Sequence, residues 1–198
     1  MIIETSTFNN TDFNTFSSWF MNLDLSQFKP TVIEGPQRPD SFQDDDWRMP
    51  KSLNLVNLFG MGYPQDPAPG GIVDTIYSFV QTVPVPPLPP ISEGTGAELC
   101  IAGYYPAGGH IGWHTNSNFA GYNILLTYSD TGDSFFEYVN SEGNVTRLDD
   151  PVGWSYKIIK WGIGADKVWH RAHAQCDRMI ITFFSTDESN IIAIKNKL

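Results

Sequence analysis

The sequence is poor in cysteine, in basic residues and in long apolar runs, and each shortage excludes a class of protein. Two cysteines in 198 residues, without Cys-x-x-Cys spacing, exclude a zinc knuckle or dithiol redox motif, and we expect both thiols to be buried and free. The 12 Lys and Arg against 22 Asp and Glu give a formal net charge of −10, which disfavours nucleic-acid partners.

Membrane and secretion signals are also missing from the sequence. No segment reaches the ~18 consecutive apolar residues that a membrane span requires. The N-terminus lacks a basic segment followed by an apolar run. We therefore expect a cytoplasmic protein without a membrane partner.

Aromatic residues are abundant, at 14% of the chain within a hydrophobic content of 41%. This composition is sufficient for a packed core, and the length favours one domain over 1–198. Within it, we divide the chain into a helical and proline-rich support and substrate cover over 1–91, and a β-rich body over 92–198.

The first half of the chain combines helical spacing with proline-rich segments. Apolar residues recur at helical intervals after Thr11 or Asp12, which predicts an amphipathic helix over 12–23 with one of these two residues as N-cap. The run 83–90 predicts a rigid surface connector, with a ligand for a proline-recognition domain as the alternative. Three further segments are predicted: an irregular one over 29–50, an extended one over 52–59 and a helix over 72–80.

The second half consists of short β-rich runs separated by turn signals such as Ser141-Glu-Gly143. Many short strands with this punctuation are typical of a sandwich or jelly roll. The fold class expected is mainly β with N-terminal helices. The predicted strands are 98–105, 122–129, 134–140, 144–148, 155–161 and 178–185.

Two distant stretches carry histidines in a pattern that indicates a non-haem iron site. His114 precedes Asn116 by two residues, and His170 is followed by Arg178 at the head of an apolar strand. An iron that activates dioxygen needs few protein ligands and open positions, which is commonly met by two histidines and one carboxylate. Residues i and i+2 of a strand point the same way, so one strand end can supply two ligands.

Three stretches together resemble the Fe(II)/2-oxoglutarate-dependent oxygenase superfamily, in its prolyl-hydroxylase and AlkB types. Residues 105–116 are similar to the Y-x-P-G…H-x-D stretch of that superfamily, and 168–184 to its V-x-H-x-V…R-x-x-x-T-x-F/W stretch. Between them, 151–153 with the apolar strand that follows is similar to P-x-x-G-x-x-x-x-F. The resemblance covers roughly residues 95–186 and implies a double-stranded β-helix, the jelly roll of cupin-like proteins.

The resemblance also implies roles for individual residues. His114 and His170 would ligate iron, and Arg178 would pair with the distal carboxylate of 2-oxoglutarate, since a guanidinium grips a carboxylate with two nitrogens. Tyr105 matches a tyrosine that contacts this cosubstrate, with Tyr104 as the alternate if the register shifts. The implied cofactors are Fe(II) and 2-oxoglutarate.

Asn116 departs from the superfamily, which usually has Asp or Glu at this position. Three interpretations stay open. Asn116 ligates the metal through its amide oxygen, or it stands aside and leaves a two-histidine site with water or halide in the third position. In the third interpretation, the chain has lost the chemistry and kept a binding fold.

Two other histidines compete for the metal roles. His110 lies in what the glycines around it predict to be a turn, and His173 is at an odd offset from His170, which places it on the other face of an extended strand. We therefore assign the ligand to His170. Four further residues are candidates for lining the substrate site or supporting the ligands, with a core role as the alternative for the two aromatic ones: Trp113, Asn118, Asn123 and Tyr128.

The activity that the resemblance implies is hydroxylation of a protein side chain, such as proline, or of a small metabolite, by a 2-oxoglutarate-dependent dioxygenase. One alternative is an AlkB-like nucleic-acid demethylase. The negative charge disfavours it, and so does Phe184, because AlkB-type proteins usually carry another arginine at this position. The other alternative is a jelly-roll binding protein with a degenerate site. A peptide or small metabolite is the expected substrate, and the sequence predicts no oligomeric state.

Overall fold

The computed structural model of the protein describes residues 1–27, 30–36, 38–39, 41–42, 50–59, 90–116 and 120–198. The helix predicted over 72–80 lies outside these residues, as does nearly all of the proline run 83–90. Among the described residues, no helix is both long and apolar enough to cross a membrane.

Eleven strands and two α-helices form the described part of the chain. The strands are β1 (Ile2–Thr7), β2 (Thr31–Ile33), β3 (Leu53–Phe59), β4 (Glu98–Tyr105), β5 (His110–His114), β6 (Gly121–Ser129), β7 (Ser134–Val139), β8 (Val145–Asp149), β9 (Gly153–Trp161), β10 (His170–Ala174) and β11 (Arg178–Ser185). The helices are α1 (Thr11–Met21) and α2 (Glu188–Lys195).

The last eight strands pair as nested antiparallel hairpins: β7 with β8, β6 with β9, β5 with β10 and β4 with β11. The chain thus forms one long double ribbon, which winds so that successive segments alternate between two sheets. The major sheet has the order β1-β9-β6-β11-β4-β3, and the minor sheet the order β3-β5-β10-β7-β8. This topology is a jelly roll, or double-stranded β-helix, and confirms the predicted fold class.

Side-chain alternation along the major sheet separates two hydrophobic cores. On β11, Met179, Ile181 and Phe183 face one core, whereas Ile180 faces the other. The first core lies between the major sheet and the two helices, and the second fills the interior between the two sheets. Since faces alternate residue by residue, a polar residue in register with Ile180 points into the jelly-roll interior.

The N-cap of helix α1 lies one or two residues earlier than predicted. Asn10, not Thr11 or Asp12, is the N-cap, and its side chain accepts hydrogen bonds from the backbone N–H groups of Asp12 and Phe13. The buried face of α1 consists mainly of Phe13, Phe16 and Phe20, which pack on the major sheet.

Strands β2, β5 and β10 and helix α2 are elements that were not among those predicted. The segment expected to be irregular contains the short strand β2, which pairs with β3. Helix α2 follows the last strand, and its N-cap Asp187 accepts from the backbone N–H of Ser189. Its Ile191 and Ile194 are fully buried. A cap residue followed by isoleucines at helical spacing is a sequence signal that could have predicted this helix.

Candidate metal and cosubstrate site

The two predicted metal ligands meet inside the jelly roll. His114 ends β5 and His170 begins β10, and the two residues lie directly opposite each other in the antiparallel pair. Their ring centroids are 4.1 Å apart, and both side chains are buried. Two imidazoles that converge in this way can bind one metal ion.

A β-bulge in β5 turns His114 inward. Between the pairs His170–His114 and Ala172–Ile111, β5 uses one residue more than β10. Ile111 and His114 therefore both face the interior, although they are three residues apart. Gly112 permits the bulge: its N–H donates to the Ser52 carbonyl at 2.8 Å, and a Cβ on Gly112 would lie 2.8 Å from that same oxygen.

Backbone carbonyls fix the tautomers of both histidines. Nδ1 of His114 lies 2.8 Å from the Gly112 carbonyl, and Nδ1 of His170 lies 3.0 Å from the Val168 carbonyl. A carbonyl only accepts, so Nδ1 carries the proton in each ring and Nε2 keeps its lone pair. Burial lowers the pKa of His114 to about 4 and that of His170 well below its usual range. Both rings are therefore neutral at pH 7, which is the form that binds metal.

Asn123 holds the aromatic ring that packs against His170. The Trp161 ring packs 4.7 Å from the His170 ring, measured between centroids. Trp161 Nε1 donates to the amide oxygen of Asn123, and the amide nitrogen donates in turn to the Phe183 carbonyl at 3.2 Å. Asn123 thus holds Trp161 against a predicted metal ligand.

Arg178 projects into the same interior with most of its hydrogen-bonding capacity unused. Its guanidinium carbon lies 4.8 Å from the centroid of the Tyr105 ring, on the neighbouring strand. Nε donates to Asp150 at 2.8 Å, but Nη1 and Nη2 are buried without a hydrogen-bond partner among the described residues. Burial raises the pKa of Tyr105 to about 12, although the charge of Arg178 and the interaction of its guanidinium with the hydroxyl act in the opposite direction, so the hydroxyl stays protonated.

Two buried hydroxyls near Arg178 also lack partners within the described part of the chain. Thr127 and Ser155 lie directly opposite each other on β6 and β9, and each leaves its side-chain oxygen unpaired. By alternation, both share the inward face with Leu125 and Ile159. Buried polar groups are normally hydrogen-bonded, so this cluster indicates a place where a polar ligand or water binds.

Asp150 anchors Arg178 through the Nε atom of its guanidinium. One carboxylate oxygen accepts from Lys157 Nζ at 2.5 Å, and the other accepts from Arg178 Nε and from the Ser134 hydroxyl at 2.9 Å. Burial alone would raise the pKa of Asp150, but the charges of Arg178 and Lys157 outweigh it and hold the pKa well below its usual range. The carboxylate is therefore ionised. Sequence reasoning missed Asp150 and Lys157, which carry no local motif.

The competing histidines lie on the outer face of the minor sheet. His110 and His173 are cross-strand neighbours with stacked rings 6.1 Å apart, and Nε2 of His110 lies 2.7 Å from the Ser52 hydroxyl. His110 belongs to β5, which corrects the predicted turn. Trp113 faces the same outer side and packs with Trp169. None of these side chains shares the interior with His114 and His170.

Tyr104 and Tyr128 face the helices instead of the interior. The Tyr104 hydroxyl donates to Asp177 at 2.7 Å, and the Tyr128 ring packs 5.5 Å from that of Trp154. Of the two tyrosines predicted for the cosubstrate, only Tyr105 therefore lies beside Arg178. Tyr128 lies on the opposite side of the major sheet from the histidines.

Asn116 follows the end of β5 by two residues and is half-buried. In the part of the chain that the structure describes, no group of three or more His, Cys, Asp or Glu side chains is placed to hold a metal. Within these residues, the histidine pair therefore has no carboxylate neighbour that could replace the missing aspartate. Asn118 lies outside the described residues.

No family model and no curated protein matches the chain. Among solved structures, a prolyl-4-hydroxylase from Pseudomonas putida is similar with a TM-score of 0.46 and 11% identity, covering 93% of this chain and 92% of its own. A Trichoplax adhaerens prolyl hydroxylase, solved with a hypoxia inducible factor peptide, gives 0.45 and 14%, covering 96% and 84%. A cupin 2 conserved barrel domain protein from Salinispora arenicola gives 0.29 and 12%, covering 85% and 98%. Likeness at this level concerns the fold alone.

Proposed function

We propose that the protein is an Fe(II)- and 2-oxoglutarate-dependent dioxygenase that hydroxylates a protein side chain, such as proline, or a small metabolite. One observation carries the proposal: two buried histidines with free Nε2 lone pairs share an interior with a buried arginine that has two unpaired nitrogens. The first group suits a divalent metal, and the second suits a carboxylate.

In this proposal, His114 and His170 hold the iron through Nε2, and Asn116 either adds its amide oxygen or leaves the third position to a small ligand. When bound, iron supplies dioxygen activation coupled to decarboxylation of 2-oxoglutarate to succinate. Arg178 receives the distal carboxylate through Nη1 and Nη2. In the same proposal, the protonated hydroxyl of Tyr105 donates to this carboxylate.

The interior supports such chemistry by excluding water. His170 contacts Trp161 and Phe136, whose ring centroids lie 4.7 and 5.6 Å from its own. Hydrogen bonds and charges act more strongly in such an apolar interior than in water. The net charge of −10 favours a peptide or small metabolite over a nucleic acid as substrate.

Anaerobic titration with Fe(II) and 2-oxoglutarate tests the proposal. The wild type is expected to develop the visible charge-transfer band that requires 2-oxoglutarate to chelate the iron. His114→Ala and His170→Ala should abolish the band, whereas His173→Ala, on the outer face, should retain it. A band that survives in both interior variants would show that the metal site is elsewhere.

The second candidate is a jelly-roll binding protein without catalysis, and Asn116 favours it. A neutral amide binds Fe(II) more weakly than a carboxylate, and the described residues offer no carboxylate in its place. A wild-type protein that binds neither Fe(II) nor 2-oxoglutarate, and releases no succinate in air, would favour this candidate.

A further inference from the structure

Three charged side chains form one connected group inside the jelly roll. Lys157, Asp150 and Arg178 are all buried, with side-chain exposures of 1%, 0% and 1%. Burial lowers the pKa of Lys157, and its 2.5 Å ion pair with Asp150 opposes that shift and favours the charged ammonium. Asp150 pairs with both cations, so two positive charges face one negative charge. The group therefore carries one uncompensated positive charge in an interior where such a charge is costly unless a partner satisfies it.

The bonding pattern determines where this charge is available. Lys157 occupies one oxygen of Asp150, and Arg178 reaches the other oxygen with Nε alone. An arginine commonly grips a carboxylate with two nitrogens. Here the single Nε contact leaves Nη1 and Nη2 unpaired. Asp150 thus fixes the orientation of the guanidinium without occupying its two amino groups.

We propose that Lys157 and Asp150 are positioning residues that act through Arg178 on the carboxylate of a bound ligand. Lys157 cancels the charge of Asp150, so Asp150 orients Arg178 without neutralising it. The proposal rests on the proposed function and deepens it, because it assigns to two further residues the affinity of the site for a ligand with a distal carboxylate.

The charge balance predicts the effect of each substitution. Lys157→Met keeps the chain length and removes the charge, so the group becomes neutral. Binding of a carboxylate should then weaken at least about tenfold, which corresponds to about 1.4 kcal/mol. The double variant Lys157→Met/Asp150→Asn restores the net positive charge, and its amide oxygen still accepts from Arg178. Its binding should return to within about threefold of the wild type, near the error of additive effects.

The experiment measures the affinity of each protein for two probes by calorimetry. Glutarate without metal tests the arginine site alone, and 2-oxoglutarate with Fe(II) under anaerobic conditions tests the complete site. Thermal denaturation of each variant checks folding. If Lys157→Met does not fold, wild-type affinity in a folded double variant still supports the proposal, and a tenfold loss there contradicts it.

The outcomes separate this proposal from the proposed function. A wild type that binds glutarate, with the expected pattern among the variants, but forms no complex with Fe(II) and 2-oxoglutarate would refute the oxygenase and keep the positioning role. Equal affinities of the wild type and Lys157→Met would overturn the positioning role alone. Equal losses in the single and double variants would show that Lys157 is only a packing residue. A wild type that binds neither probe would overturn both.

Discussion

Adjacent aspartates provide a sharp test of the buried charge group. Asp149 and Asp150 each form an ion pair with a basic side chain, but in opposite surroundings. Asp149 pairs with Arg147 at the surface, with side-chain exposures of 69% and 51%, whereas Asp150 is fully buried between Lys157 and Arg178. Alanine at each position removes one carboxylate, so the difference between the two variants isolates burial.

Asp150→Ala should cost about 3–5 kcal/mol of unfolding free energy, because it leaves two buried cations without their counter-charge. Asp149→Ala should cost no more than about 1 kcal/mol, since solvent screens an exposed pair. For a chain of this size, each kcal/mol lowers the melting temperature by roughly 2–4 °C. Thermal and urea denaturation, followed by tryptophan fluorescence, measure both costs.

The pH dependence supplies an independent check with Asp150→Asn. The folded state holds the pKa of Asp150 well below the ordinary value of about 3.9. Its stabilisation is therefore fully present above about pH 4 and is lost as the pH falls toward the lower folded pKa. The stability gap between wild type and Asp150→Asn should be constant above about pH 5 and shrink below pH 4. A gap that widens in acid, or equal costs for the two alanine variants, would refute the reasoning.

Three further substitutions test other parts of the structure. Gly112→Ala should destabilise the protein by about 1–3 kcal/mol and weaken metal binding. The new Cβ would meet the Ser52 carbonyl at 2.8 Å and displace the bulge. Melting curves measure the loss of stability, and Fe(II) titration measures the loss of metal binding. Asn116→Asp should tighten Fe(II) binding at least about tenfold by adding a charged ligand, as measured by anaerobic calorimetry; unchanged affinity would place residue 116 outside the coordination sphere. Trp154→Ala should cost about 3–5 kcal/mol in urea denaturation, since it removes a core ring and its hydrogen bond to the Phe13 carbonyl.

The choice between His170 and His173 illustrates what local reasoning can decide. Strand alternation alone assigns the two residues to opposite faces, and the structure places His170 beside His114 and His173 beside His110. Their function as ligands stays a prediction. The same rule fails on β5, where the bulge at Gly112 puts Ile111 and His114 on one face despite their odd separation.

The sequence does not predict that Asp150 and Lys157 form a charged group with Arg178. Asp150 precedes Pro151 in a stretch typical of a turn, and Lys157 sits within an apolar strand, so neither suggests a site. They meet because the strand that follows the turn carries Lys157 back along the inner face of the sheet. The contact with Arg178 spans 28 residues of chain and depends on the pairing of β11 with β6.

The sequence by itself determined a mainly β fold, most strand positions, the helix α1 and the opposite faces of His170 and His173, because hydrophobic period, turn residues and alternation are local properties. Tertiary structure alone decided which tyrosine accompanies Arg178, which aromatic rings line the interior and which carboxylate anchors the arginine. These contacts join residues far apart in the chain. They are set by sheet pairing, by one bulge and by the balance of buried charge, none of which leaves a local pattern.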